Sequence, residues 1–147
     1  MTAMRWIAIS IVLLALAAAV TAKDQSIEEL KARVDSAPPE ERPVLCVHIA
    51  QEELRAADKA YVDGKVDQAR ASLADIVSYS EKARDAAIAS RKHLKNVEIA
   101  VRKISEKLGD IKRTLNFEDQ PPVAETVKRL EDIRTSLLTE MFKKEKK

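Results

Sequence analysis

The stretch Val66 to Leu115, VDQARASLADIVSYSEKARDAAIASRKHLKNVEIAVRKISEKLGDIKRTL, decides the fold. Its apolar and small residues fall at Val66, Ala69, Leu73, Ile76, Ser80, Ala83, Ala87, Ser90, Leu94, Val97, Val101, Ile104, Leu108, Ile111 and Leu115. The steps alternate three and four without a slip, which is the seam of an α-helix packed on partner helices. There is no proline in the stretch, and its only glycine is Gly109. The spacing therefore predicts one uninterrupted helix, roughly 75 Å long at about 1.5 Å per residue.

The flanks supply its partners. Val47, Ala50, Leu54, Ala57 and Tyr61 form a second seam, on a helix that starts between Pro39 and Pro43. Proline suits a first helical turn, and Gly64 suits a left-handed C-cap. The short link to Val66 then forces an antiparallel hairpin. After Asn116 to Gln120, Pro121 and Pro122 open a last helix, with Val123, Val127, Leu130, Ile133, Leu137 and Met141 on one face. Further upstream, Ser26 and Glu29 fit a capping box, and Ile27, Leu30 and Val34 line a short helix that ends at Ala37-Pro38-Pro39. Laid end to end, the helices before and after nearly span the central one. The expected architecture is all-α: elongated antiparallel helical hairpins sharing one long central helix. The alternative is a compact four-helix bundle with the spine broken near Ser90-Arg91-Lys92. Small residues at the spine's centre read as the handover between its two partners.

Composition agrees with an all-α chain. The 147 residues include two Gly, five Pro and only one Trp, two Tyr and two Phe, and no segment alternates like a strand. With 26 basic and 24 acidic residues there is no general attraction to nucleic acid. Residues 1–22 read as a secretory signal: Arg5, an apolar core from Trp6 to Leu16, and Val20-Thr21-Ala22 before Lys23. The apolar run is short for a span of ~20 residues, so no stable membrane span is expected after cleavage. The expected location is periplasmic or secreted. One domain, 23–142, follows, and then a basic tail, 143–147.

Ala57, Tyr61, Gly64, Ala69 and Leu73 resemble the packing positions of one tetratricopeptide repeat, which implies a tight helical hairpin over 57–73. A peptide-binding superhelix takes about three such units. No second copy follows, so that family's binding role is not carried over.

Chemistry-bearing residues are few. Cys46 is the sole cysteine, read as a buried small hydrophobe or as an intermolecular disulfide. Val77, Ile88 and Ile99 form an off-seam line, with Ile99 nearly opposite the seam. That line reads as a docking line for the first helix or for a second copy, so a homodimer is one expected state. His48 and His93 are the only histidines. Glu52-Glu53 and Glu131-Asp132 read as solvated faces. No phosphate loop, G-x-S-x-G or H-E-x-x-H occurs, so no enzyme and no cofactor are expected. The leading reading is an exported non-enzymatic helical scaffold for an unidentified protein partner. A second is a holder of exported chains. It resembles coiled-coil periplasmic chaperones in its signal, long helices and basic ends, but lacks their β-rich trimerisation core. A third is a haem or metal carrier, with a histidine and Met141 as ligands, resembling some four-helix cytochromes. That one needs the compact fold.

Overall fold

The computed structural model describes residues 27–143, and the signal reading, Ser26 of the capping box and Lys144 to Lys147 lie outside them. The described chain is helical, in the order α1 (27–34), α2 (Arg42–Val62), α3 (Val66–Ser90), α4 (Leu94–Thr114), a 3-10 turn (Phe117–Asp119) and α5 (Gln120–Lys143). No strand occurs among the described residues. The all-α reading stands.

Each terminus has a local cause. Helix α1 gives way to turns before Pro38, and Arg42 ties the turn down by donating to the carbonyls of Ala37 and Asp35 at 3.0 and 3.1 Å. Helix α2 ends in a Schellman motif. Gly64 sits at φ +73°, its N–H donates to Tyr61 O at 3.2 Å, and the N–H of Lys65 donates to Ala60 O at 2.8 Å. The α2–α3 hairpin is as tight as Gly64 predicts.

The single spine is not observed. It breaks into α3 and α4 at Arg91-Lys92-His93, where Arg91 (φ 56°) and His93 (φ 65°) are both left-handed. Ser90 assists: its hydroxyl donates to Ala86 O at 2.7 Å and accepts the N–H of Lys92 at 3.3 Å. The left-handed region costs a non-glycine residue roughly 1–2 kcal/mol. Packing outweighs that cost. In a straight rod each half of the spine would meet one partner. With the break, the α2–α3 hairpin folds onto the α4–α5 hairpin, α3 against α5 and α2 against α4, while the consecutive helices α3 and α4 touch less than either of these pairs. The product is a helical bundle.

The seam residues keep their predicted role on both sides of the break. Ala69, Leu73, Ile76, Ser80, Ala83 and Ala87 are buried on α3, and Val97, Val101, Ile104, Leu108 and Ile111 on α4. The small residues at the centre do not mark a handover. Ser80, Ala83 and Ala87 are fully buried, and their size lets a neighbouring helix approach α3 closely. On α2 the buried face is Cys46, Ile49, Ala50, Glu53, Ala57 and Ala60. Val47, Leu54 and Tyr61 of the expected seam flank it, half-buried. The face is wider and rotated because α2 packs on α4 as well as on α3.

Candidate functional site

Cys46 lies in the first turns of α2 and is 1 % exposed. It backs a shallow pocket with Val34, Arg42, Lys82 and Asp85. Burial pushes the thiol's pKa up, against the opposing pull of the Lys82 and Arg42 cations. A protonated, covered thiol is a poor nucleophile, and it reaches another chain only if α2 opens. Ile99 lies elsewhere, half-buried on α4. Val77 and Ile88 are also half-buried.

Of the two acidic pairs read as solvated faces, Glu131-Asp132 is exposed, whereas Glu53 is not. Glu53 is 5 % exposed, and its carboxylate lies 3.0 Å from the Nζ of Lys31 on α1. Lys31 also donates to Asp75 of α3 at 2.9 Å and lies 5.7 Å from the Tyr79 ring centre. Lys82 covers the same ring at 4.6 Å. One ammonium thereby fastens α1 to both helices of the first hairpin. Burial acts to lower the Lys31 pKa, but the hydrogen bonds and charges of Asp75 and Glu53 outweigh it and raise the value. The signal was present in the sequence, since Cys46, Ala50, Glu53, Ala57 and Ala60 keep three-and-four spacing. Carboxylates are seldom buried without a partner, and the partner here is Lys31 on α1.

On the second hairpin Glu98 is 7 % exposed and accepts from Arg134 at 2.7 Å, with Arg102 at 3.7 Å. Glu131, exposed as expected, accepts from Ser105 of α4 at 2.9 Å. Arg129 donates to Glu81 of α3 at 3.1 Å. These contacts pair helices with one another.

The candidate site lies at the end of the bundle where the spine breaks. Helix α1, the start of α2 and the α3–α4 joint enclose a groove of about 440 Å³. Its apolar side is Leu30, Val44 and Leu45; its rim is Arg33, Glu40, Glu41, His48 and His93. The sequence separates the two histidines by 45 positions, and only the break brings His93 to the groove that His48 lines. Val44, at 49 % exposure, is open to solvent. The groove can therefore hold an apolar side chain while its rim meets charges of either sign. A second groove, about 420 Å³, begins at His93 and runs past Arg91, Leu94 and Lys95 to Met141 and Phe142. Asn96 Nδ2 lies 3.4 Å from His93 Nδ1, and His48 Nε2 lies 3.9 Å from the Glu52 carboxylate. Among the described residues no group of three His, Cys, Asp or Glu side chains could hold a metal ion. None of their helices is long and apolar enough to cross a membrane.

Comparison with protein-family models, with curated proteins and with solved structures found no match.

Proposed function

We propose that this protein is an exported, non-enzymatic interaction module, and that the groove beside Val44 receives an apolar segment of a protein partner. Export is supported by Arg5, the apolar run from Trp6 and the small residues before Lys23. The observation that carries the binding role is the groove itself: Leu30, Val44 and Leu45 inside a rim of Arg33, Glu40, Glu41, His48 and His93. Apolar centres with charged rims are how protein interfaces combine affinity with register. The test places a photo-activatable side chain at Val44, and separately at exposed Ala71 on α3, in cells that export the protein. A discrete protein adduct from position 44, absent from position 71, is expected. No adduct, or the same adducts from both positions, would overturn the reading. A smear of many adducts at position 44 would favour a holder of exported chains.

A carrier role has one specific support, since His93 and Met141 line the same groove. Arg91 and Lys95 on its walls, and its open side, oppose deep burial of a porphyrin. Haem titration decides it. A Soret band lost in both His93→Ala and Met141→Ala would establish the carrier, and an unshifted spectrum would remove it.

A further inference from the structure

We propose that the bundle end carrying Arg91, Lys92, Lys95, Phe142 and Lys143 docks onto an anionic lipid bilayer. This surface adjoins the Val44 groove at His93 but is separate from the residues assigned to the protein partner.

The charges gather here through the fold. The break at Arg91–His93 places Arg91 and Lys95 along one groove with Met141 and Phe142, near the last turn of α5. Arg91, Lys92 and Lys95 are exposed or lie in exposed turns, and none has an ion-pair partner among the described residues. Lys143 holds Glu140 at 3.1 Å, which takes up the nearest acid on α5. Glu40 and Glu41 lie beyond His93, on the other groove. Arg91, Lys92, Lys95 and Lys143 thus set four cations against one acid, Glu140, on this surface.

Charge alone would serve any polyanion. Phe142 specifies the bilayer. The residue is 59 % exposed, in one groove with Arg91 and Lys95, where water gives its ring no favourable contact. An aromatic ring beside lysines matches the bilayer boundary, with the ring among the acyl ends of the headgroups and the ammonium groups at the phosphates.

Flotation with vesicles tests this, using the chain without residues 1–22 so that its apolar leader does not itself insert. The described fold begins at residue 27 and is left whole. Binding is expected to phosphatidylcholine vesicles containing phosphatidylglycerol, and not to phosphatidylcholine alone. Lys92→Ala with Lys95→Ala should lower partitioning about 25-fold, at roughly fivefold per cation. Phe142→Ser should lower it by about tenfold. All three positions are exposed, and circular dichroism confirms that the variants fold. Absence of binding to anionic vesicles at low salt would overturn the proposal. So would binding that Phe142→Ser leaves unchanged and a soluble polyphosphate competes away, because the partner would then be a polyanion in solution. Neither result bears on the adduct at Val44.

Discussion

The ammonium of Lys31 sits 3.0 Å from the carboxylate of Glu53, joining a short N-terminal helix to the inner face of α2. Glu53 is almost wholly covered, whereas Lys31 keeps a fifth of its side chain in water. The pair is therefore asymmetric. Losing the lysine strands a buried carboxylate, while losing both charges strands nothing.

That asymmetry gives a first prediction. Lys31→Met should destabilise the fold by about 2 kcal/mol in urea unfolding, because a buried acid is left unpaired. Lys31→Met with Glu53→Met should recover most of the loss. If the double variant is as unstable as the single one, the charge pair is not what holds α1.

The same ammonium predicts the alkaline limit. The folded state raises the pKa of Lys31 above its ordinary value of 10.5, so the folded chain keeps a proton that the unfolded chain gives up. Its stabilisation is complete below that value and is lost as pH rises through the folded-state value. Melting temperature followed above pH 10.5 should fall more steeply for the parent chain than for the double Met variant. Parallel curves would refute the assignment.

Ser80 is fully buried, and its hydroxyl has no partner among the described residues. Ser80→Ala removes an unsatisfied group and adds no bulk. Stability should rise, by up to about 1 kcal/mol. A measured loss would show that the hydroxyl is satisfied in solution.

Cys46 should react with a thiol reagent only through unfolding. Native labelling is expected to be at least ~1000-fold slower than in urea, in line with opening free energies of buried elements. A non-reducing gel should then show monomer. Fast native labelling would mean that α2 opens readily at its start.

The joint at Arg91–His93 should be replaceable by its alternative. With alanine at 91, 92 and 93, helix propensity favours a continuous α3–α4 helix. The separated hairpins would then regain their packing from a second copy. Light scattering should report a dimer for the triple variant and a monomer for a His93→Gly variant, which relieves the left-handed backbone instead. A monomeric triple variant would show that packing alone holds the bend.

The seam from Ala69 to Ile111 was readable because helical periodicity follows from which residues avoid water, and burial confirms it on α3 and α4 alike. The break was not readable from local signals. No glycine or proline marks it, and the three-and-four pattern passes through Ser90, Leu94 and Val97 in step. The bend goes with the packing of α3 on α5 and of α2 on α4, which pairs residues far apart in sequence. The groove was hidden for the same reason, since His48 and His93 become neighbours of one cavity only after the bend. Glu53 was hidden differently. Its spacing was visible, but its partner Lys31 lies on another helix.

The Schellman turn at Gly64 also has a kinetic consequence. It joins two helices through a few residues, so the first hairpin can close within microseconds, before any distant segments meet. Docking of the two hairpins about Arg91–His93 is then expected to follow. Substitutions at Gly64 should therefore slow refolding, whereas changes at the docking joint should act chiefly on the unfolding limb of a chevron.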